Sequence, residues 1–280
     1  MNNINEAKCC ALCKKNPQKE ISHIIPKFIV RKLLKIGDSG VFRCAENPNV
    51  RKQDAIKCQM LCPSCEDLFS LFEKHFAETY FHPSLEKALP DDIGKNDVTA
   101  LKFLASMSFR GIWYFLHKNI ASDDLITTYS STLDILGDFL LSKTSSTLPL
   151  YHELYYVVDS NVHERIHTNQ TLHYYLNSGI DINYLKYLDG GLQFVIKFGP
   201  FISVLTIRKS ALYVPPKSPI CDNGFYTYSL PLNELPESIH KFIMDAVEMT
   251  KQSMAKISTK QQNIIKKNWE CFQRNKPTQN

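Results

Sequence analysis

Two Cys-x-x-Cys pairs, Cys10 with Cys13 and Cys62 with Cys65, constrain this chain more than any other feature. Together they offer the four soft ligands of a tetrahedral zinc site, each pair turning its backbone tightly around the ion. If both pairs close on one ion, they join segments separated by 48 residues, from Lys14 to Leu61. The chain has nine cysteines and its first residues lack the apolar core of an export signal. Thiols in a reducing compartment stay free or bind metal, so zinc is expected in preference to a disulfide framework, and the cytoplasm is the expected location. Cys9 and Cys58 are close enough in sequence to be alternative ligands. Cys44, Cys221 and Cys271 read as inert, and buried free thiols are the plainer alternative for all of them.

Between the pairs lies Ser22-His23-Ile24-Ile25-Pro26, and Glu66 directly follows the last cysteine of the second pair. A neutral imidazole can take a proton from water and so serve as general base for attack on a phosphodiester. The leaving oxygen then needs a hard divalent cation, Mg²⁺ or Mn²⁺, held by a carboxylate such as Glu66. Ser22, Glu73 and His75 are candidate helpers, Glu73 lying on the same helical face as Glu66. A zinc staple would hold the histidine and carboxylate segments together. Taken alone, a histidine before Ile-Ile-Pro reads more simply as a partly buried residue at a strand end.

With its neighbours, this stretch resembles the zinc-containing branch of the HNH, or ββα-metal, endonucleases. The resemblance rests on Cys-x-x-Cys, His-Ile-Ile-Pro and Leu61-Cys62-x-x-Cys65, and covers about the first 80 residues. In that branch an Asp-His pair supplies a metal ligand and the general base, and an Asn after the last cysteine supplies a second ligand. By position, the resemblance implies that Ser22 stands for the Asp, His23 for the base and Glu66 for the Asn. Ser22 departs from the pattern, so the site keeps its charge only if the carboxylate has moved to Glu66. The flanks, Arg51-x-Gln53-Asp54 and Leu68-Phe69-x-x-Phe72-Glu73, resemble uncharacterised bacterial HNH-like proteins, some found among antiphage genes. The implied activity is hydrolysis of nucleic acid, with DNA as the expected target.

Charge agrees with such a partner. Residues 1–75 hold 13 Lys and Arg against 8 Asp and Glu, residues 76–250 hold 13 against 19, and residues 251–280 hold 7 against 1. Two basic ends flanking an acidic middle suit a polyanion, whose counterions each well-placed cation releases. The basic run Lys27–Lys35 is the expected phosphate contact, while Arg51, Lys52 and Asp54 either touch the backbone or hold their loop. No stretch reaches the roughly 18 to 20 apolar residues of a membrane helix.

The expected architecture is α+β: a zinc-stapled ββα-metal module over 1–90, then a mainly helical domain over 91–280 with a short antiparallel sheet. A break is expected at Ala88–Gly94. Apolar spacing predicts helices over 27–36, from Cys65 to about residue 80, over 98–117 and over 123–141 with Ser122 as N-cap, and one closing helix over 237–270. Strands are expected at 153–158 and as a hairpin over 192–208 turning at Gly199-Pro200. Arg110 lies inside an apolar helix and needs a carboxylate or phosphate partner. The second part is a candidate surface for self-association or a protein partner.

One motif competes. His163-Glu164-Arg165-Ile166-His167 is a literal HExxH with His173 beyond it, which would suit a zinc protease. Gln170 occupies the place of the usual glycine and the helical periodicity is absent, so a His-rich surface connection is the simpler reading. The alternatives to an endonuclease are therefore a non-cleaving zinc module that binds nucleic acid or protein, and third, a metalloprotease.

Overall fold

Why the chain breaks where it does follows from its prolines and its apolar spacing. The computed structural model describes residues 9–18, 21–36, 41–43, 47–52, 54, 56–86, 97–142, 147–158, 170–216 and 225–274. Strand β1 (Ile21–His23) ends at the Ile24-Ile25-Pro26 corner, and α1 (Lys27–Ile36) starts after the proline. A small ribbon, β2 (Phe42–Arg43) with β3 (Arg51–Lys52), precedes β4 (Lys57–Gln59), which returns antiparallel to β1 with His23 opposite Lys57 and Ser22 opposite Cys58. Pro63 then opens α2 (Pro63–Phe76), which needs no N–H at its first position. A π-helical turn, Ala77–Phe81, and α3 (His82–Leu85) extend α2 beyond the residue 80 expected from the sequence.

Helix α4 (Val98–His117) is capped by Asp97, whose carboxylate accepts from the Ala100 N–H at 2.9 Å. The same carboxylate takes His75 Nε2 and the Tyr80 hydroxyl, each at 2.6 Å, so one aspartate ties α2 to α4. Helix α5 (Asp123–Leu141) follows, and Ser122 sits at its N-cap position, but its hydroxyl donates to Asp124 and accepts from no backbone N–H of the first turn. Beyond it lie β5 (Tyr151–Val158), α6 (Gln170–Ser178), β6 (Ile180–Lys186), β7 (Leu192–Phe198), β8 (Phe201–Arg208) and β9 (Phe225–Pro231).

These strands correct the expectation of a short antiparallel sheet. They form one five-stranded sheet, β6-β7-β8-β5-β9, in which β9 runs parallel to β5. The 192–208 hairpin is present and turns at Gly199-Pro200, where Gly199 has φ 59°. The expected closing helix is two: α7 (Glu237–Met254) and α8 (Thr259–Arg274), separated at Ala255–Ser258.

Side-chain alternation gives the sheet two buried faces. Phe194, Ile196, Phe198, Phe201 and Leu205 face α4, while Val195, Ile202, Val204 and Tyr228 face Leu176 of α6 and Ile239, Phe242 and Ile243 of α7. The approach of α4 is close enough that a Cβ at Gly111 would lie 2.7 Å from the Phe194 ring. The chain is thus α+β, with helices on both faces of the sheet.

The expected division near residue 90 falls within 87–96, outside the described residues. On either side of it a single core is shared, for Phe76 of α2 stacks on Phe103 of α4 at 4.2 Å and meets Phe198 and Phe201 of the sheet. At the other end, Ser258 N–H donates to Asn49 Oδ1 and Arg43 donates to Gln261 of α8 at 3.1 Å. The basic C-terminal segment therefore lies against the β2–β3 ribbon, bringing the two basic ends of the chain together. No helix among the described residues is long and apolar enough to cross a membrane.

Candidate metal centre and the residues beside it

The cysteine pairs meet because each sits in a tight turn and the turns are bonded to each other. Ala11 N–H donates to Met60 O at 2.8 Å, joining the first turn to the chain entering the second. In the first turn Lys14 N–H returns to Cys10 O, with Lys14 at φ 57°; in the second, the Cys65 and Glu66 N–H groups return to Cys62 O at 3.0 Å. All four Sγ atoms consequently lie within 4.8 Å of one another, and Cys13 Sγ and Cys62 Sγ are 3.8 Å apart. A zinc ion bonded to four sulfurs at about 2.3 Å has tetrahedral edges of about 3.8 Å. The thiols are free, Cys10, Cys62 and Cys65 are buried, and Asn16 Nδ2 points at Cys62 Sγ.

Electrostatics fits a cation as well. Burial raises the Cys10 thiol, and burial together with the neighbouring cysteines raises Cys65 well above the usual thiol range. Burial acts on Cys13 in the same sense, but the Asn16 and Lys15 N–H groups outweigh it and bring that thiol down to about 6. Four such thiols cannot all ionise side by side without a positive charge among them. The cluster could hold a metal ion such as zinc, and a Cys₄ donor set is that of a closed structural site. Cys9 and Cys58 are outside it, Cys9 exposed and Cys58 on β4 with its thiol raised by burial. Cys44 and Cys221 lie outside the described residues, as does the side chain of Cys271.

Immediately beside the cluster, β1, β4 and α2 place the other candidates. Glu66 occupies the first turn of α2, one residue after Cys65, and its Oε1 accepts from the fully buried Ser22 hydroxyl. His23 is at the end of β1 with Nε2 buried and 3.3 Å from Asp54 Oδ1, while Lys57 holds Asp54 Oδ2. That spacing is a charge contact without hydrogen-bond geometry, and a proton carried on Nε2 towards Asp54 would leave the Nδ1 lone pair available to accept one. Burial, aided by the Lys57 and Lys27 ammonium groups and opposed by Asp54, lowers the His23 pKa, so the ring is neutral at pH 7. Among the described residues the four cysteines are the one group of three or more His, Cys, Asp or Glu side chains close enough to share an ion. Ser22 and Glu66 are a two-oxygen pair, not a completed cation site.

Two expected helpers are committed elsewhere. Glu73 shares a face with Glu66 but lies two turns, about 10.5 Å, further along the helix. Its Oε1 is held at 2.6 Å by Arg110 Nη2, and the Arg110 guanidinium, 1% exposed, lies over the Phe69 ring. The carboxylate neutralises a buried cation of α4, which answers what Arg110 pairs with. His75 is bound to Asp97, as described above. The HExxH motif at 163–167 lies outside the described residues, and His173 is exposed on α6 beside Asn177.

Asp54 is the partner that sequence reasoning did not give to His23; its signal was only its spacing, three residues before Lys57 on the strand that pairs with β1. Lys27, Arg31 and Lys35 are exposed at four-residue spacing on α1, which begins four residues after His23. No family model, curated protein or solved structure matches this chain.

Proposed function

We propose that this chain is a metal-dependent, HNH-like endonuclease that hydrolyses phosphodiester bonds of nucleic acid, with DNA as the target and antiphage defence as the setting. The observation that carries the reading is the succession β1–β4–α2, stapled at its base by the four cysteines, with a neutral His23 at the end of β1 and Glu66 in the first turn of α2. Zinc at Cys10, Cys13, Cys62 and Cys65 is structural in this account. It fixes the two segments without touching substrate.

His23 Nδ1 accepts a proton from water as the oxygen attacks phosphorus; the opposite P–O bond breaks and its oxygen leaves with the electron pair. Asp54, itself held by Lys57, orients the imidazole and stabilises the imidazolium that forms. Glu66 and Ser22 would supply oxygen ligands for Mg²⁺ or Mn²⁺, whose charge would stabilise the leaving oxygen. Lys27, Arg31 and Lys35 hold the phosphates that follow along the strand.

One observation favours a second reading, a zinc module that binds nucleic acid without cutting it. Ser22 gives Glu66 a hydrogen bond where a second ionised ligand would raise cation affinity. Incubating supercoiled plasmid, linear DNA and RNA with the full chain in Mg²⁺ or Mn²⁺ separates the two. Nicking or cutting that disappears in both His23→Ala and Glu66→Ala supports the nuclease; retention of nucleic-acid binding with no cleavage in either metal assigns the binding module. Cleavage by Glu66→Ala at the wild-type rate would remove Glu66 from the chemistry.

A further inference from the structure

On the far side of the sheet from α4, a cavity of about 310 Å³ opens beside β5 and β9. Alternation along β5 places Tyr151, Glu153 and Tyr155 on one side, and the parallel register sets Tyr226 beside Glu153 and Tyr228 beside Tyr155. Tyr151 stacks with Tyr226 at 5.9 Å and Tyr155 with Tyr228 at 5.0 Å. Tyr213 closes a further wall. None of these residues belongs to the His23–Glu66 site.

Glu153 is the unusual member. Its side chain is almost fully buried, and among the described residues no cationic group pairs with it. Its oxygens take the Tyr155 hydroxyl at 3.0 Å and the Tyr213 hydroxyl at 2.8 and 2.9 Å, and those two hydroxyls lie 2.5 Å from each other. Two hydroxyl protons thus serve a carboxylate with about four acceptor sites. Burial leaves that charge short of compensation and raises its pKa to about 6 despite both hydrogen bonds. Lys209, a cation among the lining residues, is engaged by Tyr151: its Nζ is 3.0 Å from the hydroxyl and 4.1 Å from the ring centre.

A buried anion with no counter-charge among the described residues, walled by electron-rich ring faces, is complementary to a positive ligand with apolar flanks. An anionic ligand would meet Glu153, and a neutral apolar one would leave it unpaired. We infer that this cavity is a binding site for an organic ammonium cation, with Glu153 as counter-charge and the rings of Tyr226 and Tyr228 as its walls. The volume is at the small end for ligand pockets, which suits a free small amine or one alkylammonium side chain of a partner protein.

Calorimetric titration of the full-length protein tests this with choline, its neutral isostere 3,3-dimethylbutan-1-ol, and a short peptide bearing one trimethyllysine. Binding of choline or the peptide, with the neutral alcohol at least tenfold weaker, is the expected result. Tighter choline binding marks a free amine as the ligand, and a tighter peptide marks a partner protein's side chain. Glu153→Gln should weaken the cation at least tenfold, and Tyr226→Leu about fivefold, with circular dichroism confirming that each variant is folded. His23→Ala should leave cation binding unchanged. Equal binding of choline and the alcohol, undiminished choline binding by folded Glu153→Gln, or no heat from either cation up to about 10 mM, tenfold above a millimolar Kd, would overturn the assignment.

Discussion

Substituting Cys62 by Ser removes one corner of the thiol cluster, and the cost can be worked from what the cluster joins. Cys13 and Cys62 are 49 residues apart in sequence and 3.8 Å apart in space. A cross-link closing a loop of that length removes about 14 cal/mol/K of entropy from the unfolded chain, or about 4 kcal/mol at 25 °C. An ion bridging the two turns imposes the same constraint as a covalent link while it stays bound. For a chain of this size about 2 °C of melting temperature accompanies each kcal/mol, so the expected loss is about 8 °C. The assay is zinc content by mass spectrometry alongside thermal denaturation, for wild type, Cys62→Ser and Cys58→Ser, each with and without a strong chelator. Wild type should hold one zinc per chain and lose about 8 °C on chelation, Cys62→Ser should hold none and be indifferent to the chelator, and Cys58→Ser should behave as wild type. A Cys62→Ser protein that keeps a full equivalent of zinc and melts with the wild type would refute the four-thiol staple.

Three other outcomes follow from named contacts. Arg110→Met alone should cost about 3 kcal/mol in urea denaturation, because Glu73 loses its partner at a half-buried site; pairing it with Glu73→Leu should recover most of that loss, and an equally unstable double variant would contradict the ion-pair role. Removing the exposed cations of α1 together, as Lys27→Gln, Arg31→Gln and Lys35→Gln, should reduce the slope of log affinity for duplex DNA against log salt by about 2 to 3, and an unchanged slope would place the phosphates elsewhere. Lys197 is fully buried against the Leu176, Gly179 and Gly199 carbonyls, and burial lowers its pKa from 10.5 to about 7. Between those values the unfolded chain holds a proton that the folded chain lacks, so stability rises with pH across the window and the burial penalty is complete below it. Relative to Lys197→Met, wild type should gain on the order of 3 kcal/mol between pH 7 and 9.5 in urea titrations; parallel curves for the two proteins would show that the folded lysine keeps its proton throughout and refute the lowered pKa.

How legible the chain was depended on the range of the interactions. Helices α1, α4 and α5 were readable because a 3.6-residue apolar spacing is a local signal, and Pro26 marks the start of α1. The β7–β8 hairpin was readable from its alternation and from Gly199-Pro200. Strands β6 and β9 were not: β6 is only half-buried and β9 is a tyrosine-rich segment paired in parallel with β5, a strand about 70 residues earlier, so neither announces its partner. The break at Ala255–Ser258 is set by Asn49 receiving the Ser258 N–H, a contact from the other end of the chain. Within the site, cysteine spacing revealed the cluster, since CxxC geometry is carried by each turn. Asp54 against His23 and Arg110 against Glu73 are tertiary pairings that no local spacing encodes. Glu66 and Glu73 share a helical face, yet their different neighbours give them different work.

As a nuclease, the chain is proposed to pass the proton of the attacking water to the His23 imidazole. Chemical rescue tests it most directly: cleavage of plasmid DNA in Mn²⁺ by His23→Gly, with and without added imidazole. His23→Gly should be inactive alone and regain cleavage in proportion to neutral imidazole as pH rises through that molecule's own titration. A His23→Gly protein that cuts at the wild-type rate without imidazole would contradict it.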